Sequence, residues 1–225
     1  MDSFSDFAGE ILRRRNIDLT LFDDEDPTTS GHNAQEWRVA QAEAALAATT
    51  PGRFINATVD HPRVREWVEQ FNADPRRAPS LTLAGTLGTG KTHLAFAALR
   101  AVVVHAARVG CPLSFRVITH PQMNHMLRPK SDGSHEHALE PFESVDLLLL
   151  DDLGAGHQST WTADCLYRLI DHRWSTPLPS IFTTNFDPDD LAAATDPRVV
   201  SRVFDGRAVL LRGGDRRGYT PRGAQ

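Results

Sequence analysis

Residues 80–92 read Ser80-Leu81-Thr82-Leu83-Ala84-Gly85-Thr86-Leu87-Gly88-Thr89-Gly90-Lys91-Thr92, a short apolar run that breaks into a glycine-rich loop and then a helical pattern. The loop matches G-x-x-x-x-G-K-T in full, and it stands where that motif has to stand, after a strand and at the opening of a helix. Backbone amides of such a loop, with the positive end of the following helix, cradle phosphate oxygens. Side chains at 85, 88 and 90 would hold those oxygens off. Lys91 is then placed to reach the β- and γ-phosphates and Thr92 to offer its hydroxyl to Mg²⁺. The candidate nucleotide contacts are Gly85, Thr86, Leu87, Gly88, Thr89, Gly90, Lys91 and Thr92, and the ligands they imply are ATP and Mg²⁺.

Working outward, Val145 to Leu150 form an apolar strand ending in Asp151 and Asp152. A buried strand in an α/β sheet delivers its last residue to the edge where ligands bind, so Asp151 is a candidate metal ligand. Asp152 is the candidate base that orients and polarises an attacking water, with an N-terminal cap as its plainer alternative. A third apolar strand, Ser180 to Thr184, ends at Asn185, whose amide could bond both a terminal phosphate and the attacking water. A turn residue before Phe186-Asp187-Pro188 is the other reading of Asn185.

Short strands alternating with helical stretches predict an α/β domain with a parallel sheet. The five strands expected are Ser80–Ala84, Leu113–Ile118, Val145–Asp151, Ser180–Thr184 and Arg207–Arg212. The helices expected are Lys91–Arg108, His120–Leu127, Ser159–Trp174 and Arg198–Phe204. Residues Pro129 to Glu140 are polar and predict a long loop. Ahead of this domain, Phe4, Phe7, Ile11 and Leu12 are spaced as one face of a short amphipathic helix. The acidic stretch Asp23 to Asn33 follows as a linker, then a helix over Ala34–Ala48, for which packing on the core domain is the plainer alternative to a partner-binding role. The expected division is therefore a partner-binding extension over 1–50 and a core over 51–225.

The chain has 225 residues, 40% of them hydrophobic and 24% charged, which suits a globular domain and excludes wholesale disorder. The longest apolar run, Leu94 to Leu99, is too short for a membrane helix, and the acidic N-terminus does not read as a secretory signal, so a cytoplasmic protein is expected. Net charge is −5, with a basic tail: residues 198–225 hold seven Lys and Arg against two Asp and Glu. The overall balance gives no general pull on duplex phosphates. Cys111 and Cys165 lack any metal or redox spacing and are expected to be buried thiols. His120, His125, His135 and His137 lack a matching ligand set, so no zinc site is expected. Trp37, Trp67, Trp161 and Trp174 are expected in packing roles.

With the three strand ends in place, the chain resembles the initiator-type AAA+ ATPases, specifically DnaC-like helicase loaders and IstB-like transposition helpers. The carriers are PGRFINATVD (51–60), LAGTLGTGKTHLA (83–95), LLLLDDLGAG (147–156), LIDHRW (169–174), SIFTTN (180–185) and VVSRV (199–203). The resemblance implies a P-loop NTPase with a five-stranded parallel sheet flanked by helices and a short helical N-terminal extension. It implies that Arg202 is an arginine finger entering a neighbouring subunit's ATP site, so that a homo-oligomer shares its sites. Arg217 matches the arginine of a terminal nucleotide-contacting string, although Arg216 stands where an aromatic residue is usual. Asp152 stands where AAA+ proteins usually carry Glu, which implies slow turnover.

The resemblance also implies a surface for single-stranded DNA near His120–Leu127, with Arg128 and Lys130 beyond. It names a replicative hexameric helicase as partner or, in the alternative, a transposase. Only thirteen residues follow Arg212, too few for the helical lid domain that many AAA+ proteins carry. The leading expectation is an ATP-dependent loader of the replicative helicase onto single-stranded DNA. The alternatives are a transposition helper and a nucleotide-binding scaffold without hydrolysis.

Overall fold

The computed structural model describes residues 31–128, 138–156 and 159–214. The stripe Phe4–Leu12, Lys130, His135, His137, Arg216 and Arg217 lie outside the described residues. The elements are α1 (Gly31–Thr49), α2 (Pro62–Ala73), β1 (Leu81–Ala84), α3 (Lys91–Arg108), β2 (Phe115–Thr119), α4 (His120–Met126), α5 (Glu140–Glu143), β3 (Leu147–Leu153), α6 (Thr160–Ser175), β4 (Ser180–Thr184), α7 (Pro188–Ala194), α8 (Pro197–Phe204) and β5 (Arg207–Leu210).

The five strands form one sheet in the order β2-β3-β4-β1-β5, every neighbouring pair parallel. The run Leu147–Leu150 explains the placement of β3 inside it. All four leucines are fully buried, which only a strand covered on both faces requires. Leu147 and Leu149 join one core with α1, α2 and α3; Leu148 and Leu150 join the other with α4, α6 and α8. The alternation of β-strand side chains thus divides one apolar run between two layers.

Helix starts are set locally. Thr119 and Gln122 form a capping box at α4, Ser159 and Thr162 another at α6, and Asp187 and Asp196 cap α7 and α8. β3 continues two residues past its expected end because Leu153 pairs with Thr184 across an irregularity after Leu150. It begins at Leu147 rather than Val145; Asp146 instead accepts hydrogen bonds from the Ser114 N–H and hydroxyl at 2.8 and 2.6 Å. β5 ends at Leu210 rather than Arg212, and among the described residues no helix follows it.

Three helices were not expected, α2, α5 and α7. The buried residues of α2 are Val64, Trp67, Val68 and Phe71, an i, i+3, i+4, i+7 face that the sequence displays. α1 packs against α3: its Leu46 is buried in the core, Arg38 Nε donates to Ala107 O at 3.2 Å, and Glu43 pairs with Arg100 at 2.7 Å. Part of the stretch set apart as 1–50 therefore shares the core of the sheet.

Two expectations about side chains are corrected. Cys111 is exposed, since it follows the turn that ends α3, while Cys165 is buried on α6. Trp67 is fully buried, but Trp37, Trp161 and Trp174 are 51%, 39% and 54% exposed. Trp161 and Trp174 are held by their indole N–H groups, to Leu127 O at 3.0 Å and Asp205 Oδ2 at 2.9 Å, rather than by enclosure. Among the described residues no helix is long and apolar enough to cross a membrane.

Candidate nucleotide-binding site

β1 ends against the sheet edge, and the chain leaves it through Gly85, whose φ is +148°. A Cβ there would collide with the Leu211 carbonyl oxygen at the exit of β5, so only glycine lets the loop start in that place. Gly88 and Gly90 have φ of +81° and +94°, and Gly90 is the N-cap of α3. Thr89 closes the loop by donating its hydroxyl to Thr86 O at 2.9 Å. Lys91 is 5% exposed, and its ammonium donates to the Gly85 and Thr86 carbonyls at 2.7 Å each. The lysine charge therefore lies against the loop's own backbone.

Thr92 and Asp151 meet across the sheet edge: the Thr92 hydroxyl donates to Asp151 Oδ1 at 3.0 Å. Thr183 of β4 donates to the same oxygen at 2.6 Å and accepts the Asp152 N–H at 2.9 Å. Burial raises the Asp151 carboxyl above its usual pKa; the Thr183 hydrogen bond opposes this, the Asp152 charge adds to it, and the Thr92 bond opposes it. Asp152 has φ +55°. A non-glycine residue in the left-handed region is uncommon and persists only where its surroundings hold it.

These residues border a cleft of about 370 Å³ lined by Gly88, Gly90, Lys91, Thr92, Asp152 and Asn185, and by Arg53, Phe54, Asp60 and His93. The last four form a wall that the site residues read from the sequence do not include, although three of them fall in PGRFINATVD and His93 in LAGTLGTGKTHLA. Phe54 stacks on Phe96 with centroids 5.4 Å apart, Arg53 lies 4.6 Å over the Phe54 ring, and the Thr58 N–H donates to His93 Nε2 at 3.4 Å. An aromatic face beside a cationic one suits a nucleobase.

The residues present fit a nucleotide triphosphate with Mg²⁺. A cradle whose positive-φ glycines expose backbone amides suits phosphates. A hydroxyl and a carboxylate 3.0 Å apart are the hard oxygen donors Mg²⁺ prefers.

Arg202 lies elsewhere. On α8 it borders a second cavity of about 200 Å³ formed by residues just before β1, β4 and β5, at the opposite sheet edge. α4 presents Pro121, Gln122 and His125 to solvent, with Arg128 exposed just beyond its end, whereas His120, Met123 and Asn124 and, after the helix, Leu127 are buried. His120 therefore cannot contribute to the surface expected there. Among the described residues no three His, Cys, Asp or Glu side chains group as a metal site.

The family model described as IstB-like ATP binding protein matches residues 71–201, which span the cleft loop, both acids and Asn185. The chain belongs to the IstB-like ATP-binding protein family. This IstB-like chain is 25% identical over 152 residues to the replicative helicase loader DnaC of Escherichia coli strain K12, covering 66% of itself and 58% of that protein. It is 28% identical over 130 residues to the replicative helicase loader DnaI of Bacillus subtilis strain 168, covering 57% of itself and 40% of the relative. The IstB-like chain thus spans less than two thirds of these relatives. Among solved structures, the DnaC helicase loader superposes with a TM-score of 0.60 at 26% identity, over 72% of this chain and 100% of that one. AMPPCP-bound DnaA from Aquifex aeolicus shares the fold, with a TM-score of 0.56 at 22% identity over 74% and 49% of the two chains. The IstB-like domain is therefore a DnaC-like AAA+ fold.

Proposed function

We propose that this chain is a Mg-dependent ATPase that loads a replicative helicase onto single-stranded DNA. One observation carries the reading: Gly88, Gly90, Lys91 and Thr92 of the loop, Asp152 and Asn185 line one cleft at the carboxyl edge of the sheet, and Asp151 is bonded to Thr92 beside it. Lys91 exchanges its backbone carbonyl partners for phosphate oxygens. Thr92 and Asp151 would hold the cation, which would supply charge neutralisation to the triphosphate. Asp152 aligns and polarises the attacking water, and Asn185 hydrogen-bonds that water and the terminal phosphate. Because Asp152 is one methylene shorter than Glu, hydrolysis is slow.

Arg202 completes the site of a neighbouring copy, so turnover depends on assembly. The helicase is gripped by the extension over residues 1–50, 51–225 form the ATPase core on which its α1 also packs, and Arg128, just beyond α4, faces the single strand. Arg217 contacts nucleotide. Likeness to DnaC and DnaI supports this loader role. Lys91→Ala is the test: ATP binding and hydrolysis fall at least a hundredfold, since a charge-assisted contact to a phosphate is worth about 3 kcal/mol. Unchanged hydrolysis in Lys91→Ala overturns the assignment of the cleft.

The family match over residues 71–201 favours a second reading, a transposition helper that binds DNA and a transposase. Affinity capture on the full-length chain separates the two: a hexameric helicase retained with ATP supports the loader, a transposase the helper.

A further inference from the structure

We propose that His120 is a positioning residue for hydrolysis, acting through the backbone of Gly154 on both Asp152 and Asn185. The proposal rests on the ATPase reading above.

The turn that follows the acids is held from outside itself. Asp152 sits at φ +55°, a conformation that needs support from its neighbours. β4 supplies two supports, Thr183 to the Asp152 N–H at 2.9 Å and Thr184 to the Leu153 carbonyl at 2.8 Å. The third comes from α4, where His120 Nδ1 accepts the Gly154 N–H at 3.2 Å. This imidazole is fully buried. To accept at Nδ1 it must be neutral with its proton on Nε2, and burial, opposed by a hydrogen bond that the imidazole makes to the Ala155 backbone, holds its pKa down to about 4.

Gly154 connects this bond to the other side of the cleft. Its φ is +90°, and a Cβ would lie 2.7 Å from the Phe186 ring and 2.8 Å from Leu191. The Phe186 ring thus packs directly on the Gly154 backbone, and Phe186 follows Asn185 in the chain. The Phe186 N–H is itself bonded to Thr184 Oγ1 at 3.2 Å. If the Gly154 N–H loses its acceptor, the turn loses one of these three outside supports and shifts slightly, which moves the carboxylate two residues before it and the amide beside Phe186. Lys91 and Thr92 stand on α3, where their hydrogen bonds run to the Gly85 and Thr86 carbonyls and to Asp151 rather than to the Gly154 turn. The expected signature is lost turnover with retained nucleotide affinity.

The test compares His120→Leu, which fills the space without an acceptor, with His120→Asn, whose amide oxygen stands near the position of Nδ1. Three readouts are taken on the full-length chain: kcat, KM for ATP, and hydrogen exchange at the Gly154 amide without nucleotide. In His120→Leu, kcat falls roughly tenfold to a hundredfold, the cost of a small misplacement of catalytic groups, while KM stays within about twofold. Exchange at Gly154 accelerates by at least about tenfold with the α3 core amides unchanged, as expected where one buried donor loses its partner. His120→Asn restores most of both.

Parental kcat in His120→Leu overturns the proposal. So does a uniform rise in exchange across the sheet, or a loss that His120→Asn does not recover, each of which makes His120 a core residue only. If the parent chain hydrolyses no ATP, the ATPase reading itself fails, an outcome distinct from these.

Discussion

Thr183 donates its hydroxyl to Asp151 Oδ1 at 2.6 Å, the shortest of the contacts that hold the buried acid. This hydroxyl opposes the upward push of burial on the Asp151 carboxyl. Thr183→Val keeps the shape and removes the donor, so the carboxyl pKa rises further. Because only the carboxylate holds a cation, the acid limb of the pH–rate profile moves to higher pH. Half-saturation by Mg²⁺ at neutral pH rises roughly tenfold, the worth of one hydrogen bond to a charged group. Thr183→Ser retains the parental profile. A Thr183→Val profile superimposing on the parent's would remove Thr183 from the metal site.

Asp151 also makes a prediction about stability. A carboxyl whose pKa is raised on folding favours its protonated form in the folded state. The stability it contributes is present below the unfolded value of about 3.9 and is lost as pH rises through the raised folded value. Asp151→Asn removes the charge while its amide oxygen still accepts from Thr92 and Thr183. Without nucleotide, this variant melts higher than the parent at pH 7 by a few degrees, about 2–4 °C for each kcal/mol in a domain of this size. The gap closes near pH 4. Mg-ATP no longer raises its melting temperature, which a thermal shift series across pH will show.

The glycine loop was legible because its fixed spacing encodes a backbone shape, and the acids and Asn185 because each ends an apolar strand. Thr183 was not, since a threonine inside SIFTT reads as a β-former and nothing in the sequence says which oxygen it faces. His120 was read as part of a surface helix; only the packing of α4 on β3 buries it. The wall made by Arg53, Phe54 and His93 depends on the approach of two segments forty residues apart. α2, by contrast, carries its apolar periodicity openly in Val64, Trp67, Val68 and Phe71.

Arg173, in the string LIDHRW, is a structural clamp. It is 3% exposed, and its guanidinium donates to Ser180 Oγ at 2.9 Å, Val145 O at 2.8 Å, Pro179 O at 2.8 Å and Phe142 O at 3.0 Å. Burial pulls its pKa down to about 10, which leaves it charged at neutral pH. Arg173→Ala orphans several buried carbonyls and costs about 3–5 kcal/mol in denaturant unfolding. Arg173→Lys recovers only part, since one ammonium cannot span the directions the planar fork reaches. Affinity for ATP in the folded fraction stays parental, because Arg173 lies outside the cleft.

Arg202 is engaged within its own chain. Nε donates to Asp171 at 2.6 Å, Nη2 to the Tyr167 hydroxyl at 3.2 Å, and the guanidinium lies about 5 Å over the Tyr167 and Trp174 rings. To act on a neighbour's γ-phosphate it must leave these partners, so Arg202→Ala and Lys91→Ala damage different halves of one shared site. Arg202→Ala changes monomer stability by under about 1 kcal/mol, as for a part-exposed ion pair, yet lowers hydrolysis about a thousandfold at concentrations where copies assemble. Each variant alone is inactive. Mixed, the Lys91→Ala copy supplies Arg202 to a neighbour that retains Lys91, and phosphate release returns in proportion to mixed contacts. A mixture as inactive as its components, or Arg202→Ala hydrolysing at the parental rate, would show that Arg202 serves only its bond to Asp171.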